Sequence, residues 1–190
     1  MTLRIIGGQF KGRLLKTPKG PSTRPTQGML REAVFNICQN AIEGARFLDL
    51  FAGSGAMGLE AISRGASHAT LVESNRHALS SIKENIDILN TRAQVQILPV
   101  KAEKALQVLA KQSQLYDIVY IDPPYDTSTN ALLDSLPPIL APGALIFVEE
   151  RYSPKGQNPP YEPPFLQLKD SRRFGIALLH QYRLSATKGS

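Results

Sequence analysis

The feature that most constrains the fold of this 190-residue chain is an alternation of short apolar runs with helical segments from residue 47 onward. The runs have the length of strands and are continuously apolar, as in YDIVYI and GALIFVE. The segments between them repeat apolar residues at three- and four-residue spacing, which is typical of helices. Continuous apolar strands separated by helices indicate parallel strands covered on both faces. The sequence therefore predicts an α/β fold with a doubly wound, mostly parallel sheet of seven strands.

The two ends of the chain depart from this alternation. Two β-prone runs, Leu3–Ile6 and Arg13–Leu15, flank three glycines and predict a β-hairpin, which a Pro/Gly-rich linker follows. We expect residues 1–26 to form a hairpin extension that reaches beyond the sheet, and residues 27–190 to form the main domain. Near the C-terminus, two further strands are predicted to meet at Gly175.

Charge is distributed unevenly along the chain. Residues 1–31 hold seven basic side chains and no acidic one, residues 32–150 hold eight basic and fourteen acidic ones, and residues 151–190 hold seven and two. Two basic ends around an acidic middle indicate a polyanionic partner. A basic arm that only confers solubility is the alternative.

No run approaches the roughly 18 apolar residues of a membrane span, and the first residues lack the pattern of a signal peptide. We therefore expect a cytoplasmic protein with no membrane partner. The single cysteine, Cys38, lies in an apolar pattern and is predicted to be a buried structural thiol.

A glycine-rich turn follows the first strand of the alternation. Asp49 precedes Phe51, Ala52, Gly53, Ser54 and Gly55, and a helix begins directly afterwards. Glycines at such a turn let the backbone approach a ligand closely. Together with Gly58 they also match a dinucleotide fingerprint. Asp49 separates the two interpretations, because a carboxylate there repels a pyrophosphate but suits the ammonium group of a methionine-type cofactor.

Glu73 ends the next strand, with Ser74 beside it. In a doubly wound sheet the ends of neighbouring strands open on one crevice, so this carboxylate is a candidate ligand for ribose hydroxyls. A solvated carboxylate at the end of a strand is the alternative.

The most specific motif is Asp122-Pro123-Pro124-Tyr125, which directly follows the strand YDIVYI. The exocyclic amino group of a base is a poor nucleophile because its lone pair is delocalised into the ring. Acceptors on its two N–H bonds, the Asp122 carboxylate and the Pro123 carbonyl, would localise that lone pair. Successive prolines hold the carbonyl in place, and Tyr125 would stack on the base.

These motifs, in this order, resemble those of Rossmann-like class I methyltransferases that act on amino nitrogens. The N-terminal pattern RIIGGQFKGR, followed by Arg24-Pro25-Thr26 and by Arg31-Glu32 with Phe35-Asn36, is similar to that of the bacterial 16S ribosomal RNA guanine-N2 methyltransferases. The resemblance implies S-adenosylmethionine as the cofactor. It places Phe51 to Gly55 at the methionine part, Glu73 at the ribose, and Ala102 and Glu103 near the adenine. Together with the excess of basic residues in positions 1–31, an RNA substrate predicts that basic side chains near the N-terminus contact RNA, namely Arg4, Lys11, Arg13, Arg24 and Arg31.

We therefore expect methyl transfer to the N2 of a guanine in 16S ribosomal RNA. The expected partner is ribosomal RNA or the small ribosomal subunit particle, and no metal is required. An adenine-N6 DNA methyltransferase remains an alternative, because Asp-Pro-Pro-Tyr serves that chemistry equally well. An NAD-dependent oxidoreductase would explain the glycines and Glu73, and a non-catalytic RNA-binding protein would explain the charge.

Overall fold

The computed structural model describes residues 3–17, 25–124, 128–154 and 159–185. These ranges contain seven β-strands, five α-helices and one 3₁₀ turn. In chain order the elements are α1 (Pro25–Ile37), β1 (Arg46–Asp49), α2 (Ala56–Ser63), β2 (His68–Val72), α3 (Arg76–Leu89), β3 (Val95–Leu98), α4 (Ala102–Lys111), β4 (Tyr116–Ile121), α5 (Asn130–Asp134), the 3₁₀ turn (Pro137–Ile139), β5 (Leu140–Arg151), β6 (Leu166–Phe174) and β7 (Ala177–Leu184).

All seven strands form one sheet in the order β3-β2-β1-β4-β5-β7-β6. Strands β1 to β5 pair in parallel, whereas β7 runs antiparallel to both of its neighbours. Only Gly175 and Ile176 separate β6 from β7, and so short a connection cannot cross over to a parallel strand. The α/β sheet of seven strands is confirmed, but it is mixed, with antiparallel pairings at one edge.

Helices cover both faces of the sheet, and each face has its own apolar core. We call the core beneath α1, α2 and α3 the front layer and the core beneath α4 and α5 the back layer. Side chains alternate between the layers along each strand, as the pleat requires. Front-layer strand residues include Phe47, Leu71, Tyr120 and Phe147, and back-layer ones include Leu48, Val72, Val119, Ile121 and Val148.

Four acidic residues stand at the carboxyl ends of adjacent parallel strands. Each lies two positions beyond a front-layer residue, so alternation places all four on the front face. In spatial order along the edge they are Glu73 after β2, Asp49 at the end of β1, Asp122 after β4, and Glu149 in β5. Adjacent strands are about 4.8 Å apart, so the row spans roughly 14 Å. We refer to these residues as the carboxylate row.

The predicted N-terminal hairpin is reduced to a single antiparallel bridge between Arg4 and Leu14. Its backbone is closed by hydrogen bonds from Ile5 N to Arg13 O (3.0 Å) and from Leu15 N to Leu3 O (2.9 Å). No regular strand forms within residues 3–17 of the structure.

This segment does not reach beyond the sheet, which corrects the expectation of a projecting extension. Ile5 and Leu15 are 0% and 5% exposed and belong to the front-layer core. Gly8 comes so close to α2 that an added Cβ would lie 1.8 Å from the Ser63 carbonyl oxygen. Residues 3–17 are therefore packed on the sheet domain, and the proposed boundary at residue 26 stays a prediction.

A buried carboxylate anchors the segment. Glu60 of α2 is 0% exposed and accepts hydrogen bonds from Ile6 N and Gly7 N, both at 2.7 Å. Arg64 Nε donates to the same carboxylate at 2.7 Å, and Arg31 Nε lies 3.8 Å from it. Two backbone donors and two guanidinium groups thus surround one buried charge, which is the compensation that such burial requires.

None of the helices in the described ranges is both long enough and apolar enough to cross a membrane.

Candidate active site

The glycine-rich turn connects β1 to α2 at the centre of the sheet. Leu50 N donates to Tyr120 O (3.0 Å) and Ala52 N donates to Val72 O (2.9 Å), so the turn is tied to both neighbouring strands. Gly53 and Gly55 have φ values of 54° and 80°, a region that favours glycine. A Cβ at Gly53 would meet no atom within 4 Å, so the space beside this backbone is open to a ligand.

Gly58 has a different role from the two glycines of the turn. A Cβ at this position would lie 2.2 Å from Leu71 Cδ2 of β2. The glycine therefore permits close packing of α2 on the sheet. This packing explains a glycine at the third position of the fingerprint, and no bound phosphate is needed to explain it.

Glu73 is connected directly to the turn. Its carboxylate accepts hydrogen bonds from Gly53 N (2.8 Å) and Asn75 N (2.7 Å). Asn75 in turn caps α3 by accepting from His77 N at 2.9 Å. Each carboxylate oxygen keeps a free acceptor position for a hydroxyl group. Glu73 is thus held at the edge of the turn, where ribose binding was predicted.

Asp49 is 1% exposed and lies beneath the turn. Burial raises the pKa of its carboxyl to about 8, the Phe51 N–H lowers it, and the neighbouring Asp122, Glu73 and Glu149 raise it. Among the described residues, no basic side chain forms an ion pair with any member of the carboxylate row. A cationic ligand would supply the missing positive charge, so the site fits the ammonium group of a methionine-type cofactor.

Asp122 and Pro123 follow β4, on the other side of β1 from Glu73. Burial raises the pKa of the Asp122 carboxyl to about 6. Pro123 is buried and Pro124 is exposed, while Tyr125 lies outside the described residues. The structure thus brings Asp49, Glu73 and Asp122 to one face of the sheet at the point where the strand order reverses, which is where ligands bind in open α/β sheets.

The sequence analysis missed Glu149. Val148 pairs with Ile121 in the parallel register of β5 and β4, so Glu149 and Asp122 occupy the next equivalent positions. Burial raises the pKa of the Glu149 carboxyl to about 7. The sequence offers two adjacent acids here, Glu149 and Glu150, and only the alternation of β5 shows which one faces the site.

The residues predicted near the adenine lie toward the β3 side. Ala102 is buried at the first position of α4, and Glu103 is exposed in the first turn of that helix. Ser74 is exposed beyond β2. Their contacts with a cofactor stay predictions.

The predicted RNA-contacting residues divide into two groups. Arg4, Lys11 and Arg13 are exposed, and Arg13 Nη2 donates to Ile88 O at 2.7 Å. Arg31 is buried: its Nη2 donates to Arg4 O at 2.8 Å and its guanidinium faces Glu60. A guanidinium enclosed in this way does not present itself to RNA, so the prediction for Arg31 is corrected to a structural role. Arg24 lies outside the described residues.

A second basic surface, which the motifs did not indicate, lies on the antiparallel edge. The turn between β6 and β7 adjoins the carboxyl end of β5, because Arg151 and Phe174 both pair with Ala177. Arg173 lies there with its guanidinium carbon 3.7 Å from the centre of the Tyr152 ring. Exposed basic residues of this edge are Arg151, Lys169, Arg172, Arg173 and Arg183.

No group of three or more His, Cys, Asp or Glu side chains in the described ranges is arranged to hold a metal ion.

Comparisons with known proteins identify the family of the chain. The family model described as conserved hypothetical protein 95 matches residues 3–183. The ribosomal RNA small subunit methyltransferase D of Escherichia coli strain K12 is 41% identical over 155 residues, which cover 77% of this chain and 74% of that protein.

Solved structures share the fold. A structure from Escherichia coli described as a candidate methyltransferase has a TM-score of 0.83 and 33% identity, covering 98% of this chain and 100% of the other. A methyltransferase candidate solved with S-adenosylhomocysteine has a TM-score of 0.69 at 15% identity, covering 85% of this chain and 50% of the other, and this likeness concerns the fold alone. The chain belongs to the family described as conserved hypothetical protein 95, and the resemblance to ribosomal RNA methyltransferases is confirmed.

Proposed function

We propose that this protein transfers a methyl group from S-adenosylmethionine to the exocyclic N2 of a guanine in 16S ribosomal RNA. The observation that carries the proposal is the carboxylate row, in which Asp122, followed by Pro123, lies across β1 from Glu73 with Asp49 between them. Family membership supports ribosomal RNA as the substrate and the small ribosomal subunit particle as a partner. Because ribosomal RNA is the proposed substrate, the proposed location is the cytoplasm.

The chain offers a distinct group to each part of the cofactor. Asp49 would hold the ammonium group, and Glu73 would accept hydrogen bonds from the ribose hydroxyls. Phe51, Ala52 and the turn through Gly55 would line the methionine part, with Ser74, Ala102 and Glu103 nearer the adenine. The buried carboxyl of Asp49, which forms no ion pair with a basic side chain of the described residues, and the open space at Gly53 support this arrangement.

S-adenosylmethionine supplies a methyl group bound to a positively charged sulfur. Asp122 and the Pro123 carbonyl would accept the two N2–H hydrogen bonds and so localise the nitrogen lone pair toward that methyl group. N2 would receive the methyl group as the bond from carbon to sulfur breaks, and the electron pair of that bond would stay on sulfur. The proton that N2 loses passes to the Asp122 carboxylate. Burial raises the pKa of Asp122 to about 6, which makes this carboxylate a better proton acceptor than an exposed one.

RNA recognition is proposed for the exposed basic residues Arg4, Lys11 and Arg13, and also for Arg24. The target base must leave its stack to reach Asp122, at a cost of a few kcal/mol. Phosphate contacts by these residues and stacking by Tyr125 would offset that cost. The exposed arginines nearest the β6–β7 turn, Arg151, Arg172 and Arg173, lie at the same end of the sheet as Asp122, which supports a second contact with the phosphate backbone.

The proposal is tested by transfer of a labelled methyl group to small-subunit particles, naked 16S RNA and duplex DNA in parallel, followed by nucleoside analysis. The expected product is N2-methylguanosine in the ribosomal substrates. Methyladenosine in DNA would instead identify an adenine-N6 methyltransferase. An Asp122→Asn variant provides the control for transfer by a contaminating enzyme.

A further inference from the structure

Glu149 is the member of the carboxylate row to which the proposed function assigns no ligand group. Glu149 extends β5, and the pairing of Ile121 with Val148 places it beside Asp122. Residues paired across parallel strands point to the same face, about 4.8 Å apart. Glu149 and Asp122 are therefore two acceptors side by side, with Glu149 on the side away from Asp49 and Glu73.

The neighbouring Glu150 interacts with other side chains on the opposite face of the sheet. Glu150 lies in the back layer, accepts a hydrogen bond from Thr129 Oγ1 at 3.4 Å and lies 3.6 Å from His180 Nε2. Glu149, in contrast, accepts no hydrogen bond and forms no ion pair with any residue that the structure describes. A partly buried carboxylate without a donor is costly, and a donor on a bound ligand would satisfy it.

The order of the row indicates which ligand atoms meet Glu149. In the proposed function Glu73 holds the ribose, Asp49 the ammonium group, and Asp122 the reacting amino group. Glu149 comes next in the same direction, so it faces the part of the base adjacent to that amino group. In guanine, N1 lies beside the N2 amino group on the Watson–Crick edge and carries a hydrogen.

We propose that Glu149 is the specificity residue for guanine, its carboxylate accepting the N1–H while Asp122 accepts an N2–H. This inference rests on the proposed function and names the groups that read the base. Two carboxylates then face two adjacent donors on the Watson–Crick edge. In adenine the ring atoms beside the amino-bearing carbon are N1, which is an acceptor, and C5, which carries no hydrogen. No N–H of adenine would therefore face Glu149, and its carboxylate would oppose a lone pair.

The base analogue 2-aminopurine tests this contact, because it keeps the 2-amino group but has an acceptor at N1; it also has a hydrogen in place of O6, so the contact is read from the difference between protein variants. With guanine, the Glu149 carboxylate would accept a hydrogen bond, whereas with 2-aminopurine it would stay unpaired. A loss of this kind changes the rate of methyl transfer by about 10- to 100-fold. The wild-type protein should therefore methylate guanine faster than 2-aminopurine by about that factor, beyond any difference in amine reactivity.

The experiment uses small-subunit particles reconstituted with 16S RNA that carries guanine or 2-aminopurine at the position the wild-type protein modifies. The ratio of the two initial rates is measured for the wild-type protein, Glu149→Gln and Glu150→Gln. The side-chain amide introduced by Glu149→Gln can donate to N1 of 2-aminopurine, so the guanine preference of this variant should fall at least about tenfold. Glu150→Gln is the matched control and should keep the wild-type ratio, because Glu150 lies in the opposite layer.

Thermal stabilisation by S-adenosylhomocysteine identifies folded variants, and Glu149→Ala provides a second substitution that should also reduce the ratio. An unchanged ratio in both folded Glu149 variants would overturn the inference and leave the proposed function standing. Absence of N2-methylguanosine from the wild-type reaction would instead overturn the proposed function itself.

Discussion

Replacing Asp49 by asparagine tests two effects of this carboxyl, one on the stability of the folded protein and one on the affinity for the cofactor. Asparagine has nearly the same shape but cannot ionise. Burial raises the pKa of Asp49 to about 8, whereas an aspartate in an unfolded chain titrates near 3.9. Between these values the folded state binds more protons than the unfolded state, so the free energy of unfolding falls as the pH rises.

The size of this effect follows from the pKa. For a folded-state pKa of about 8, Asp49 stays largely protonated in the folded state but is ionised in the unfolded state, and this difference removes about 2 kcal/mol of stability as the pH rises from about 6 to about 8. In a domain of this size that loss corresponds to roughly 4–8 °C in Tm. Asp49→Asn lacks this group, so its Tm should decline less than that of the wild-type protein by about this amount.

Thermal unfolding of the ligand-free proteins across this pH range tests the reasoning. Glu84→Gln, an equivalent change on the exposed face of α3, provides the control and should follow the wild-type curve. Parallel curves for Asp49→Asn and the wild-type protein would show that the pKa of Asp49 in the folded state is not raised into this range, and the reasoning would be refuted.

The same substitution should weaken the cofactor site. The ammonium group requires the ionised carboxylate, so wild-type affinity for S-adenosylhomocysteine should rise by up to about tenfold per pH unit as the pH approaches 8. Calorimetry in buffers of different ionisation enthalpy should detect a proton released on binding. Asp49→Asn should bind weakly at every pH and release no such proton.

The remaining predictions concern catalysis, the N-terminal segment and RNA. Asp122→Asn should lower methyl transfer at least about a hundredfold while S-adenosylhomocysteine affinity, measured by calorimetry, stays within a few-fold; near-normal turnover would contradict the mechanism. Gly8→Ala should lower the free energy of unfolding by at least about 2 kcal/mol, because Gly8 has a positive φ and an added Cβ would clash with α2. Gly12 also has a positive φ but has open space around it, so Gly12→Ala should lower the free energy of unfolding by less. Equal losses in the two variants would argue against the close packing of Gly8. Replacing Lys11 and Arg13 by alanine should flatten the salt dependence of RNA binding by about one to two units of slope. Tm should change only slightly, through loss of the exposed hydrogen bond from Arg13 to Ile88 O. An unchanged slope would remove both residues from the RNA interface.

The sheet could be predicted because its signals are local. YDIVYI and GALIFVE are continuous apolar runs, and they became β4 and β5. The turn from Asp49 to Gly55 and the Asp122-Pro123-Pro124 motif were recognised for the same reason, because the residues that define each motif lie within a few positions of one another in the sequence.

Features that depend on contacts distant in sequence could not be predicted in this way. Residues 3–17 were expected to project because their anchor, Glu60, lies more than 50 positions away in α2. One signal was present: Glu60 is a charge among the apolar residues of AMGLEAIS, which indicates a buried carboxylate with a partner. Glu149 was missed because its position beside Asp122 depends on the register of two strands.

The side chain of Asn85 links the N-terminal segment to the glycine-rich turn by hydrogen bonds. This α3 residue is 0% exposed; its Oδ1 accepts from Lys16 N at 2.7 Å, and its Nδ2 donates to Lys16 O and Ser54 O, both at 2.9 Å. One side-chain amide thus joins a basic segment to the loop between β1 and α2. Breaking the Lys16 contacts also exposes the amide that supports Ser54, so the two stretches should open as a single cooperative unit in hydrogen exchange, and a ligand that protects one should slow exchange in the other.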